Sequence, residues 1–170
     1  MQERTSFIRL VRASVLLGLG LGGFFDGIVL HQLLQWHHML SSEGRWPVTT
    51  VAGLKANTLG DGLFHAATYL ATLLGLWLLW RAIPELPAPP PGSLLAGLLL
   101  MGWGAFNLVE GVIDHVLLGL HQVREDSAHQ GMWDLAFLIW GAAMLLGGWS
   151  LARSGERAID DRGQHERVGR

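Results

Sequence analysis

The sequence predicts an all-α protein: a four-helix transmembrane bundle built from two repeated helical hairpins, with both termini in the cytoplasm. Three observations predict it. Half of the 170 residues are hydrophobic and mean hydropathy is +0.33. Only 15% are charged, against about 25% in an ordinary soluble domain. Four apolar runs reach the ~20 residues that a helix needs to cross the hydrocarbon core, and one polar motif occurs once in each half of the chain.

The elements follow in order. Residues 1–12 form an N-terminal segment carrying Arg4, Arg9 and Arg12. Residues 13–83 form the first hairpin, whose apolar runs extend from Val11 to Leu40 and from Asp61 to Trp80. The first run is too long for a signal peptide, contains Asp26 and His31, and has no small-residue cleavage site after it. Residues 84–92 are a stiff linker with Pro84, Pro87, Pro89, Pro90 and Pro91. Residues 93–152 form the second hairpin, with runs from Ser93 to Leu120 and from Met132 to Leu151. Residues 153–170 form a charged tail, expected to be solvated and partly disordered. No run alternates with period two, so helices rather than barrel strands are expected. Arginines crowd the two termini and Arg81 lies near the linker, which puts the termini and linker in the cytoplasm by the positive-inside rule. On the opposite side, Arg45, Lys55 and Arg124 are partly offset by Glu43, Glu125 and Asp126.

Composition excludes several functions. A net charge of -2 with the arginines in tails argues against nucleic acid as a partner. The absence of Cys excludes disulfides, thiolate metal sites and a Cys nucleophile. The 8 His are the anomaly, because most lie inside or beside the apolar runs.

Those histidines are organised. Asp26-Gly27-Ile28-Val29-Leu30-His31, with His37 six residues on, is matched by Glu110-Gly111-Val112-Ile113-Asp114-His115, with His121 six residues on. Leu33 and Leu34 match Leu117 and Leu118, and Gly20 matches Gly104. The second helix of each hairpin contributes Asp61 and Phe64 or Asp134 and Phe137. Ionisable residues inside spans are rare and are usually functional. Two hairpins running in the same direction imply a pseudo-twofold axis along the membrane normal, with a shared site between them.

On an ideal α-helix, Asp26 and His37 return to within about 20° of one face and lie about 16 Å apart along the axis. His31, Gln35 and His38 fall on a second face, about 120–180° round from Asp26. Glu110, Asp114 and His121 share a face within about 40°, with His115 turned away as His31 is. Asp61 and His65 stack at i,i+4. His37, His38, Asp61, His65, His121 and Asp134 lie near the external ends of their runs, whereas Asp26, His31, Glu110 and His115 lie deeper. The constellation is expected to open toward the non-cytoplasmic side. His129 and His165 are assigned to the loop and the tail.

A buried ionised carboxylate or imidazolium costs several kcal/mol unless compensated. A bound cation compensates it through these same residue types. The candidate ligands are Asp26, His31, His37, His38, Asp61, His65, Glu110, Asp114, His115, His121 and Asp134. Such a His and carboxylate set suits a transition metal ion such as zinc, iron, manganese or copper(II). It exceeds one tetrahedral site and suits a dinuclear one. Met39 and Met132 are the only thioethers near it, which disfavours copper(I). Asn57, Asn107 and Gln35 are candidates for supporting hydrogen bonds.

The runs Gly23-Phe24-Phe25-Asp26-Gly27-Ile28-Val29-Leu30-His31-Gln32, Gln35-Trp36-His37-His38, Asp61-Gly62-Leu63-Phe64-His65 and Asn107-Leu108-Val109-Glu110-Gly111-Val112-Ile113-Asp114-His115 resemble a bacterial membrane protein family known as domain of unknown function 2243. The resemblance covers about Gly18 to Trp149. It implies four spans in the bacterial inner membrane and supplies no activity. It also implies proximity to respiratory oxidase assembly components, which tilts the metal toward copper.

The function expected from the sequence is therefore transition-metal binding in the bundle interior, for metal handling or redox work. The alternatives are a metal-dependent hydrolase or oxidase, a b-type haem protein with His31 and His115 as axial ligands, and a proton or cation pathway. The lipid bilayer is the one partner the composition requires, and the sequence leaves a homo-oligomer open.

Overall fold

The computed structural model describes residues 2–42 and 44–168. Glu43 and Arg170, which entered the charge balance, lie outside the described residues, as does the side chain of His165. The described chain is helical with no strand: α1 (Gln2–Phe25), α2 (Val51–Ala82), α3 (Gly92–Glu110) and α4 (Gln130–Val168), with a 3-10 turn at Ile83–Glu85. Two π-helices continue the odd-numbered helices, π1 (Asp26–Leu33) after α1 and π2 (Gly111–Leu117) after α3. Four helical stretches are long and apolar enough to cross a membrane: Arg4–Leu33, Val51–Glu85, Gly92–Leu117 and Gln130–Gln164.

α1 packs on α2, α3 packs on α4, and α1 meets α3. The two hairpins therefore meet through their first helices, which are the more buried pair, and α2 and α4 flank them. Small residues set the central contact. A Cβ on Gly18 would strike the Leu99 carbonyl, and one on Gly102 would strike the Val15 carbonyl. Gly18 and Gly102 occupy the same repeat position, as do Val15 and Leu99. The contact is thus reciprocal, as a twofold relation between hairpins requires, and it brings the two backbones close where lipid supplies no hydrophobic drive.

The apolar core lies toward the chain termini, where Leu10, Ala82, Leu94, Leu98 and Ala152 are buried together. Arg9 donates to both carboxylate oxygens of Glu85, at 2.8 and 2.7 Å, and so ties α1 to the segment entering the linker. The other end of the bundle is polar inside and is closed by the loops after π1 and π2.

Three expectations about element boundaries are corrected. The first and third apolar runs leave helical structure at Leu33 and Leu117 rather than at Leu40 and Leu120. Each ends at a residue of positive φ, Gln35 (51°) and Gly119 (58°), which occupy one repeat position and turn the chain back over the bundle. The tail after Arg153 is helical, because α4 continues without a break to Val168. It contains no Pro, and Arg, Glu, Ala, Ile and Asp continue the helix past the apolar run.

Candidate metal centre

The centre begins with a local departure from the α-helix. In a π-helix the backbone bond runs from i to i+5. The wider turn places residue i+5 above residue i, where an α-helix would place i+4. His31 therefore stands over Asp26 and His115 over Glu110. This reverses the expectation that both histidines turn away. It also explains Asp114: Glu110 faces His115 instead, and the half-buried Asp114 carboxylate hydrogen-bonds to none of the cluster.

His31 Nε2 approaches Asp26 Oδ2 to 3.0 Å. The approach lacks hydrogen-bond alignment, and neither atom has a hydrogen-bond partner. In the second half, His115 Nε2 lies 2.9 Å from Glu110 Oε1 and His121 Nε2 lies 3.0 Å from the same oxygen. His37 Nε2 is 4.0 Å from Asp26 Oδ2 and also has no partner. The expected ~16 Å axial separation of Asp26 and His37, drawn for a straight helix, is overturned by the turn at Gln35, which folds His37 back onto the bundle. Each half thus supplies one carboxylate and two imidazoles to a common interior. The His37 and His121 rings stack at 4.5 Å with 5° between their planes.

Each outer ring nitrogen faces an oxygen, although His115 Nδ1 makes no hydrogen bond. His31 Nδ1 lies 2.9 Å from Asp61 Oδ1, and His115 Nδ1 lies 3.4 Å from Asp134 Oδ1. His37 Nδ1 donates to the Val123 carbonyl at 2.8 Å, and His121 Nδ1 to the Met39 carbonyl at 3.4 Å. Met39 N donates to Asp61 Oδ1 and Val123 N to Asp134 Oδ1, each at 2.9 Å. Met39 and Val123 occupy one repeat position, so the backbone support of the two aspartates is twofold. Phe64 stacks on His31 at 5.5 Å, and Phe137 lies 5.4 Å from His115.

Asp26, His31, His37, Asp61, Glu110, His115, His121 and Asp134 are all buried in one cluster. His38 lies at its margin, 2.7 Å from Asp61 Oδ2 through Nδ1, so it braces Asp61 rather than facing the interior. His65 is turned to its own helix, with Nδ1 donating to the Asp61 carbonyl at 2.7 Å. Its repeat counterpart is Leu138, which separates it from the paired set. Asn57 orders the first loop by accepting from Leu40 N and donating to the Trp46 and Gly53 carbonyls. Asn107 donates to Met144 Sδ, and Gln35 is an exposed turn residue.

The sequence reading missed the Met39 and Val123 backbone groups, and Gln32, whose amide donates to Asp61 Oδ2 at 3.2 Å. The shared repeat position of Met39 and Val123 was the available signal. His37, in the loop after the first span, has its pKa held well below the ordinary histidine value by burial and then by the neighbouring His121 and His31.

Among the described residues, two triads place their donor atoms within 4.8 Å of one another: His31, His37 and His121, and Glu110, His115 and His121.

Fold and centre together define a four-span membrane protein, internally duplicated, with paired buried His and carboxylate clusters that could hold a metal. Residues 13–155 match the family described as "Predicted membrane protein (DUF2243)", and the chain belongs to that family. No curated protein and no solved structure is significantly similar to it.

Proposed function

We propose that the protein holds a pair of transition-metal ions, one per repeat, in the interior of its membrane-spanning bundle. The first ion takes Asp26, His31 and His37, and the second takes Glu110, His115 and His121. The observation that carries this reading is the unpartnered inner face. Asp26 Oδ1 and Oδ2, His31 Nε2, His37 Nε2 and Glu110 Oε2 are buried without a hydrogen-bond partner, although such atoms are normally satisfied. The opposite nitrogen of each imidazole faces a carboxylate or a backbone carbonyl, as ligating histidines require.

Charge favours two ions. Asp26, Asp61, Glu110 and Asp134 are all buried, and no Lys or Arg pairs with them among the described residues. Two divalent cations balance four carboxylates. Two His and one carboxylate per ion suit divalent iron with open positions, and the same donors accept zinc or copper(II). The copper tilt rests on the family resemblance alone, as do oxidase assembly components as partners and the bacterial inner membrane as location. The arginine asymmetry supports a centre on the non-cytoplasmic side. A haem between His31 and His115 is disfavoured, because the His37 and His121 rings fill that space, with centroids 4.4 Å from His31 and 4.8 Å from His115.

Elemental analysis of the detergent-purified protein tests this reading. Two metal ions per chain are expected, with loss in a His31→Ala/His115→Ala variant that remains folded. Metal-free protein that takes up no divalent ion on titration would overturn it.

A further inference from the structure

The two halves are alike in their ligands but not in what surrounds them. A cavity of about 200 Å³ runs between π1 and α4, and Asp26 lines it together with Phe25, Trp36, Trp133, Phe137 and Trp140. Phe25 and Trp140 are exposed on the helix surface, at 45% and 59%, whereas Asp26 is 1% exposed. The cavity therefore opens at the lipid-facing surface and ends against buried Asp26, one of its lining residues. Asp26 is the only ionisable group in the lining; its Oδ1 has no hydrogen-bond partner and its Oδ2 meets His31 Nε2 at 3.0 Å.

Most of the aromatic wall is not repeated on the pseudo-equivalent side, where of the helix α4 aromatics only Phe137 has an aromatic counterpart, Phe64. At the repeat counterparts of Trp36, Trp133 and Trp140 stand Leu120, Gly60 and Ala67. Ala136, which also lines the cavity, corresponds to the bulkier Leu63. Duplication would have supplied equal walls, so the lining has diverged further than the ligand types, whose one change is Asp26 for Glu110. Arg124 lies over two of the lining indoles, 5.0 and 5.2 Å from the Trp36 and Trp133 ring centroids. The indoles themselves are 5.2 Å apart. A charged or strongly hydrated ligand would lose its water in this lining without replacement. An apolar one partitions first into the bilayer and then into the cavity.

We infer that this lateral cavity is the binding site for a small, apolar, membrane-dissolved molecule, delivered from the lipid to the ion on the Asp26 side. The inference rests on the metal reading for what the ligand meets, and on the cavity alone for what the ligand is. Occupancy and proximity can therefore be tested separately, with fluorobenzene as the probe in lipid nanodiscs. Saturation transfer from metal-free protein to the probe reads occupancy. Fluorine relaxation in cobalt(II)-loaded against zinc-loaded protein reads proximity to the centre. Wild type is expected to give both signals.

Ala136→Trp, which places an indole in the cavity from a position that is not a proposed ligand, is expected to lose both signals while elemental analysis finds unchanged metal. Ala136→Leu copies the residue of the other half and is expected to weaken both signals, which covers the case in which the Trp variant does not fold. Normal metal content with no cobalt-dependent relaxation in wild type would overturn the inference and leave the metal reading intact. Signals unchanged in both variants would also overturn it. Saturation transfer without any metal uptake would overturn the metal reading and leave the cavity as an apolar ligand site.

Discussion

His37 donates from Nδ1 to the carbonyl of Val123, 2.8 Å away and 86 residues later in the chain. The second repeat answers with His121 Nδ1 on the Met39 carbonyl. Each half therefore orients an imidazole of the other, and the two loops close the centre jointly. Ser41 and Ser42 donate to Glu125 Oε1 at 2.7 and 2.6 Å and lock the same loops together.

This crossing predicts coupled ligand sets. His37→Ala and His121→Ala are each expected to remove more than half of the bound metal, with the double variant little worse than either single. Neighbouring groups that share partners show such non-additivity. Metal titration of the three variants checks it, and strict additivity would show that the halves bind independently.

Asp61 and Asp134 position their histidines without facing the interior. Asp61→Asn is expected to weaken metal binding by about 10- to 100-fold, the usual cost of removing a ligand's supporting carboxylate. Asp134→Asn is expected to cost less, because its contact with His115 is longer, 3.4 Å against 2.9 Å for Asp61 with His31. Competition with a metal chelator measures both, and equal effects would contradict the distances.

The turn residues give a stability prediction in which the repeats serve as mutual controls. Gln35 (φ 51°) adopts the left-handed conformation that Gly119 (φ 58°) adopts in the other half. Gly119→Ala is expected to destabilise by about 1 kcal/mol or more, because a Cβ is disfavoured there. Gln35→Gly is expected to stabilise by up to about 1 kcal/mol for the same reason. Denaturation of the purified protein in detergent checks both signs.

Acid should destabilise the metal-free protein through His37. Its pKa in the folded chain lies well below the ordinary value of 6.5, chiefly because it is buried. Between those values the unfolded chain takes up a proton that the folded chain refuses. This contribution therefore falls as pH drops below 6.5 and is constant above it. Metal binding requires the neutral ring and weakens in the same direction. Thermal unfolding of metal-free protein is expected at a lower temperature near pH ~5 than near pH ~7, and His37→Leu is expected to flatten that difference.

The sequence by itself determined the architecture and the list of polar groups. Apolar runs of sufficient length predicted four spans, and the recurrence of Asp26, His31 and His37 as Glu110, His115 and His121 predicted two matched halves. These features were legible because hydropathy and repetition are one-dimensional properties. Which of those groups meet was decided only in three dimensions. A helical wheel assumes one fixed twist, so it turned His31 and His115 away from their carboxylates and gave their place to Asp114. The π-helices change that twist by one residue per turn. The positive-φ turns at Gln35 and Gly119 then replace an axial separation with a fold-back. Likewise, α2 and α4 decided that Asp61 and Asp134 brace histidines and that His65 does not, and only the packing of α4 against π1 made a cavity beside Asp26. Backbone twist and chain reversal are cooperative properties of the packed helices, and no local pattern of side chains states them.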